Sequence, residues 1–340
     1  MPYAAGVYGA PSNSWNPAVA GSAINATDWA ALLADLTTAL STCVLKDGTQ
    51  TMTAALPMGG FKVTGLAAGS ANGDSVRWEQ IFNAGGIAST LVLRSYLSGL
   101  NLSTAGGSAT MSIAAGQATD GTNAALMSIG AFSKTTSAWV LGSGNGGLDT
   151  GSISTATWYH FWLIQRPDTG VVDVLISLSA SAPTMPANYT LKRRIGSGLT
   201  DGSSHWTAFT QDGDLFQWNT LVADVSSTNP GTSAVTNTIT TPTGVNTTAL
   251  IQAVISTTNA GSGCLAYFSD LATTDSAPST TLTDVSVALN AATGSQIVAS
   301  RLSVRTNTSA QIRSRFSFSD AGLIVKINTL GWIDSRGRNS

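Results

Sequence analysis

The stretch WYHFWLIQRPDTGVVDVLISL, residues 158–178, decides the fold class of this chain. Residues 158–166 and 171–178 are both rich in aromatic and β-branched side chains, as β-strands are. Between them, the Pro-Asp-Thr-Gly of residues 167–170 is typical of a tight turn. The stretch therefore predicts a β-hairpin.

The same kind of pattern continues on both sides of this hairpin. From about residue 83 onward, short β-like runs alternate with Gly, Asn, Asp, Ser and Pro, and nothing indicates a long helix. The further candidate strands are 108–114, 124–128, 249–256 and 322–327. Strands at this spacing predict a mainly-β fold, with an antiparallel β-sandwich of the jelly-roll type over residues 83–340.

Upstream of the β region, residues 27–44 (TDWAALLADLTTALSTCV) predict one amphipathic helix with Thr27 as its N-cap. Its large apolar side chains recur at helical spacing and form a narrow stripe: Trp29, Leu32, Leu33, Leu36 and Leu40. We expect this stripe to make the contacts of a trimer, because mainly Ala and Thr lie outside it and the helix can pack against copies of itself. Packing on the chain's own β domain is the alternative.

The segments on either side of this helix are expected to depend on partners. Residues 1–26 combine Pro, Gly and spaced aromatic side chains, which predicts an extended arm that docks onto another surface. A disordered terminus is the alternative. Residues 45–80 form brief alternating runs that are each too short to bury a face alone. With a second short helix expected over 74–82, residues 27–82 form a predicted trimeric neck before the head domain 83–340.

The composition excludes several classes of function. Only 10% of the 340 residues are charged and the net charge is −2, so a nucleic-acid partner is not expected. The densest basic cluster is Lys192, Arg193 and Arg194. Cys43 and Cys264 lie far apart, which predicts free thiols rather than a disulfide framework or a zinc site. Because neither a signal-peptide pattern nor an apolar run of about 18 residues occurs, we expect folding in the cytoplasm without membrane insertion.

Motifs with catalytic chemistry are few. Residues 149–151 and 168–170 both read Asp-Thr-Gly, the aspartic-protease signature, but they lie only 19 residues apart and the second occupies the hairpin turn. The Gly-rich residues 142–147 lack a following helix, so we expect a surface loop rather than a phosphate site. His160 is expected to be structural and His205 exposed, and the chain has no other histidine. We therefore expect no enzymatic activity and no cofactor.

Aromatic side chains near acidic ones are the best candidates for sugar recognition. Aromatic rings stack on sugars, and neighbouring carboxylates accept hydrogen bonds from hydroxyl groups. Core packing of the same rings is the alternative. The close acidic pairs, Asp212 with Asp214 and Asp168 with Asp173, have turn-like contexts that favour solvated turns over glycan cleavage. The resulting receptor-binding candidates are Trp206, Phe209, Asp212, Asp214 and Trp218.

Two segments of the neck carry a resemblance to a known family. Residues 47–67 read DGTQTMTAALPMGGFKVTGLA, and residues 75–82 read SVRWEQIF. With the helix before them, they resemble the part of bacteriophage tail-fibre proteins that contains a DGSQTMTGNLNMGGNKITNLA-like run and an AVTKGYVD-like helix. Residues 55–58, Ala-Leu-Pro-Met, stand where the family has Asn-Leu-Asn-Met, while the Met-Gly-Gly turn is kept.

A second resemblance covers residues 118–218 and the final GWIDSRGR of residues 331–338. This region is similar to a β domain that recurs in phage tail-fibre and other virion proteins. Its anchors stand in the expected order: Leu148 to Gly151, Trp158 to His160, Tyr189, and Lys192 to Gly196. The resemblance implies a β domain located in the virion and assembled in the host cytoplasm.

Together these features predict a structural virion protein, a homotrimeric tail fibre that mediates attachment to the host cell. The arm would bind other tail or virion proteins, and the head would bind a host surface glycan or protein. Three linked heads raise the effective concentration, so weak single-site binding can give firm attachment. The alternatives are a collar or head-decoration fibre without a receptor role, and a tailspike that depolymerises polysaccharide.

Overall fold

The computed structural model describes residues 3–4, 7–8, 26–41, 59, 64–67, 94–259, 263–281, 285–290 and 294–338. The chain divides into two compact units, residues 1–67 and 68–340. Most of the predicted arm, Cys43, the second helix over 74–82 and the predicted boundary at 82–83 lie outside the described residues. These predictions therefore stay predictions.

The described residues of the first unit form one helix and one small hairpin. Helix α1 is Ala26–Ser41, which confirms the predicted helix, and strand β1 (Tyr3–Ala4) pairs antiparallel with β2 (Val7–Tyr8). Because the helix begins at Ala26, Thr27 lies inside its first turn, so the prediction of Thr27 as the N-cap is wrong. With 16 residues, the only helix in the described ranges is too short to cross a membrane.

The second unit is built of strands. Its first ten are β3 Leu97–Gly99, β4 Leu102–Ser103, β5 Thr110–Ile113, β6 Gly116–Thr119, β7 Leu126–Ile129, β8 Phe132–Ala138, β9 Gly146–Leu148, β10 Trp158–Gln165, β11 Val172–Ser177 and β12 Leu191–Leu199. The others are β13 Phe209–Asp212, β14 Leu215–Thr228, β15 Val235–Thr238, β16 Thr248–Thr257, β17 Cys264–Ser269, β18 Val287–Leu289, β19 Gln296–Arg305, β20 Gln311–Phe316 and β21 Leu323–Ile333. Every candidate strand predicted from the sequence overlaps one of these, and the mainly-β prediction is confirmed.

The hairpin that decided the fold class forms as predicted. β10 pairs antiparallel with β11 from His160–Ser177 to Gln165–Val172. At the turn, the Gly170 N–H donates to the Arg166 carbonyl at 2.8 Å. Gly170 has a φ of 73°, a left-handed conformation that glycine adopts without a steric penalty. The hairpin supplies the second and third strands of a seven-stranded sheet ordered β12-β10-β11-β9-β8-β5-β4.

One strand of this sheet was not expected. β9 pairs parallel with both β8 and β11, whereas the other strand pairs of the described part are antiparallel. β9 contains Gly146 and Gly147, which were predicted to belong to a surface loop and are instead buried. A Cβ atom on Gly146 would lie 1.9 Å from the Ala138 carbonyl oxygen, so only glycine lets β9 approach β8 this closely.

The described part of the head contains two large hydrophobic cores and a smaller cluster of Trp162, Ile164, Leu175 and Tyr189. The first lies between the seven-stranded sheet, a three-stranded sheet (β3-β6-β7) and one end of a five-stranded sheet (β13-β14-β21-β16-β19). The second lies between the rest of the five-stranded sheet and a four-stranded sheet (β15-β20-β17-β18). Cys264 is a buried free thiol in this second core, as predicted. The five-stranded sheet therefore contributes side chains to both large cores of the head.

A bulge in β21 lets this one strand serve both cores. Val325 and Ile327 face the second core, but Thr329 pairs with Ile251 while Gly331 pairs with Leu250, so residue 330 is an extra residue. The alternation then shifts, and Trp332 packs into the first core. The bulge thus directs the last residues of the chain onto the seven-stranded sheet.

Candidate functional site

The aromatic residues predicted to bind a receptor are buried. Trp206, Phe209 and Trp218 are 0%, 3% and 6% exposed and belong to the first core. Their partners include Trp332, whose ring lies 5.0 Å from that of Trp218. The indole N–H groups of Trp206 and Trp218 donate to the backbone carbonyls of Ala109 and Thr240. The prediction of a sugar-stacking face here is wrong, because all three side chains pack in the first core and none is open to a ligand.

The two acidic candidates separate into different roles. Asp212 is exposed at the end of β13, beside a turn in which Gly213 has a φ of 56°. Asp214 accepts a hydrogen bond from Arg336 Nε at 3.1 Å and forms an ion pair with Arg338. Asp214 therefore holds the C-terminal segment, which leaves Asp212 as the accessible member of the predicted site.

The basic cluster noticed in the sequence is mostly turned inward. Arg194 makes two hydrogen bonds of 2.6 Å to the buried carboxylate of Asp334, and the Arg336 N–H donates to the same carboxylate at 2.8 Å. Burial alone raises the pKa of Asp334, but the Arg194 charge and the hydrogen bonds outweigh it, and the pKa lies below its ordinary value of 3.8. This carboxylate therefore ties β12 to the C-terminal segment.

His160 is part of the same buried group, as the prediction of a structural histidine requires. Its Nδ1 lies 2.9 Å from the Ser197 hydroxyl, and its ring is 1% exposed. Burial, followed by the Arg194 charge, lowers the pKa of His160 from 6.5 to about 3. The ring is therefore neutral at pH 7 and is unsuited to act as a general base toward external substrate. His205 was predicted to be exposed, but it is half-buried.

The remaining acidic candidates for catalysis have structural partners. Asp149 accepts from the Thr184 N–H at 3.0 Å, and Asp168 pairs with Arg166 at 2.7 Å. Asp173 pairs with Lys134 at 2.8 Å, and both side chains are fully buried. Across the parts of the chain that the structure describes, no three His, Cys, Asp or Glu side chains group as metal ligands would.

A cleft of about 650 Å³ opens beside the inward-turned basic cluster. It lies where β10, β12 and the end of β19 approach the 244–246 loop and the C-terminal segment. Its lining includes aromatic, polar and cationic side chains: Trp162, Ser181, Lys192, Asn246, Arg305 and Ser335. Asn246, Arg305 and Ser335 also line a second cavity of about 300 Å³, so the two spaces adjoin. Sequence patterns did not point to this cleft, although the triplet 192–194 contributes to it.

The helix stripe predicted to make trimer contacts is exposed within the first unit. Trp29, Leu33 and Leu36 are 53%, 45% and 43% exposed, and Leu32 is half-buried. Leu40 lies in α1, but its side chain is outside the described part. An apolar stripe open along one helix is a surface that a second copy or another partner can cover.

Comparison with models of known protein families and with curated proteins finds no match for this chain.

Proposed function

We propose that this chain is a structural fibre protein of a tailed bacteriophage, which works as a homotrimer and attaches the particle to the host cell surface. In this proposal the N-terminal arm binds other virion proteins, the neck forms the trimer, and the head contacts a glycan or protein of the cell. The mechanism is binding without turnover.

The single observation that carries the proposal is the apolar stripe of α1. Trp29, Leu33 and Leu36 repeat at intervals of four and three residues on one helix face, and about half of each side chain is open to solvent. Such a face is stabilised when copies of the helix pack together, as in a short coiled coil. A parallel bundle of three copies would place three heads on one side, where linked weak contacts add up to firm attachment.

The head supports a binding role because its conspicuous acidic and histidine side chains already hold the fold together. Asp173, Asp214 and Asp334 are all committed to Lys or Arg partners, and His160 is buried and neutral. A glycan-cleaving site needs two carboxyl groups that face the same substrate. The described head offers polar clefts and loops instead.

The proposal is tested by measuring whether fluorescently labelled trimer binds to bacterial cells from a panel of strains, with reducing-sugar release followed in the same samples. We expect saturable binding to some strains and no sugar release. Sugar release would favour a depolymerase, and the absence of binding to every strain that the phage infects would favour a collar or decoration protein.

A further inference from the structure

We infer that the 650 Å³ cleft binds an acidic saccharide of the host surface, with Lys192 and Arg305 contacting its carboxylate or phosphate group. The inference rests on the proposed attachment function and names the chemical class of the receptor. It is carried by the charge, the open donors and the size of the cleft.

The cleft concentrates positive charge in a chain that has little charge of either sign. Four of the 16 Lys and Arg side chains line it, while no Asp or Glu is among its described lining residues. Asp334 pairs with Arg194 and Asp270 pairs with Arg305, but within the described ranges neither Lys192 nor Arg193 forms an ion pair. The cleft therefore holds positive charge that a ligand anion can neutralise.

Arg193 supplies this charge from below the surface. It is 2% exposed, and its guanidinium donates to the Thr119 carbonyl at 2.7 Å, to the Asp120 carbonyl at 2.9 Å and to the Gly337 carbonyl. These acceptors are neutral carbonyl groups, but the buried Asp120 carboxylate also interacts electrostatically with the guanidinium and offsets part of its charge. Arg193 therefore adds a fixed, partly compensated charge, and within the described ranges Lys192 is the lining cation with no carboxylate partner.

Lys192 and Arg305 are placed to touch the ligand directly. The Lys192 ammonium lies 5.4 Å from the centre of the Trp162 ring and 3.4 Å from the Ser181 carbonyl oxygen, which leaves donors of the ammonium group for an anion. The Arg305 side chain is 54% exposed, and its Nη1 contacts Asp270 at 3.0 Å. Two cationic groups on different elements thus line the same cleft, and an anionic group of the ligand can pair with either of them.

The rest of the lining suits a sugar rather than a bare ion or a polynucleotide. Ser181, Asn246 and Ser335 offer hydroxyl and amide groups that can exchange hydrogen bonds with sugar hydroxyls. A volume of about 650 Å³ lies within the range of small-ligand sites and exceeds what a lone phosphate needs. The net charge of −2 disfavours a long polyanion that would track across the whole surface.

The inference is tested by isothermal titration calorimetry of the full chain with trigalacturonic acid and with neutral galactotriose. We expect trigalacturonic acid to bind and the neutral sugar to bind much more weakly. Added salt should lower the affinity for the acid and leave the affinity for the neutral sugar unchanged. In Lys192→Gln and in the double variant Lys192→Gln/Arg305→Gln, affinity for the acid should fall, at least about tenfold in the double variant.

Arg301→Gln is the matched control, because Arg301 is an exposed arginine on the same strand as Arg305 and does not line the cleft. It removes one positive charge, as Lys192→Gln does, and should leave the affinity unchanged. The inference is overturned if the acid does not bind, if both sugars bind equally, or if Arg301→Gln weakens binding as much as the double variant. Unchanged thermal midpoints establish that each variant is folded.

Cell binding separates this inference from the proposed function. If the double variant adheres to bacteria as well as the wild type does, attachment stands and the cleft is not the receptor site. If the titrations give the expected pattern while the wild type adheres to no strain, the acidic-saccharide site stands and the attachment function fails.

Discussion

At the scale of single residues, the head depends on buried charges that have specific partners. Asp334 is 1% exposed and neutralises Arg194 through two short hydrogen bonds. Removing one member of a buried pair leaves the other charged and poorly solvated, which is far more harmful than losing a surface pair. The C-terminal segment is consequently as important to the fold as any strand of the core.

Asp334→Asn should lower the free energy of unfolding by about 3–5 kcal/mol, because it leaves the Arg194 charge buried without a counter-charge. Urea unfolding followed by tryptophan fluorescence measures this change. Asp168→Asn is the control, since its pair with Arg166 is exposed and should have little effect. Equal losses in the two variants would show that the buried pair has no special role.

His160 should make the head less stable as the pH falls from 6.5 toward 3. Below pH 6.5 the unfolded chain takes up a proton on this histidine, whereas the folded chain does so only at about pH 3, so acid favours unfolding. The slope is at most about 1.4 kcal/mol per pH unit.

Urea midpoints measured down to about pH 4.5, above the range in which most Asp side chains titrate, isolate the histidine contribution. His160→Gln should reduce the pH slope. A wild-type slope that survives His160→Gln unchanged would contradict this assignment.

For the triplet 192–194, the sequence predicts the basic cluster but not the direction in which its side chains point. The cluster is visible in the sequence, but its orientation is decided by partners 74 and 140 residues away in the chain, Thr119 and Asp334. The same limit explains the error at Trp206 and Trp218, whose aromatic character is obvious while the side of the strand that faces the core is not. Burial at such positions is a tertiary property.

At the scale of elements, changes in α1 should affect the oligomeric state and changes in the bulged strand β21 should affect stability. Leu33→Asp should convert a trimer into monomers, because it places a charge in the middle of the apolar stripe. Ala31→Asp is the control, since Ala31 is exposed on the opposite helix face and accepts the same charge change. Sedimentation velocity distinguishes the two, and a trimer that survives Leu33→Asp would show that α1 is not the contact.

The bulge of β21 should tolerate no side chain at Gly331. A Cβ atom there would lie 2.0 Å from the Phe216 carbonyl oxygen, so Gly331→Ala must push β21 away from β14 and disturb the packing of Trp332. We expect a loss of about 1–3 kcal/mol or more in urea unfolding. Gly202→Ala, which meets no atom within 4 Å, should be neutral, and a neutral Gly331→Ala would contradict the geometry.

Six strands could be located from the sequence, but several long ones, including β12, β14 and β19, and the assembly of the strands into sheets could not. Alternation and turn residues located the hairpin over 158–178 because both signals are local. The parallel pairing of β9 and the division into two cores depend on contacts between strands that are distant in sequence. The cleft arises from this assembly, which is why only its basic triplet was visible beforehand.

At the scale of the whole molecule, the two units differ in how much of their apolar surface is buried. The unit 68–340 has its own hydrophobic cores, whereas the described part of the unit 1–67 exposes an apolar helix face. In the fibre that we propose, assembly through α1 and recognition by the head would be divided along the chain.

The most direct test of the central claim is the mass of the purified full-length chain by sedimentation equilibrium. We expect one species of three times 34.7 kDa that persists on dilution. A species of 34.7 kDa at every concentration would contradict it, because α1 would then be stable with its apolar stripe uncovered.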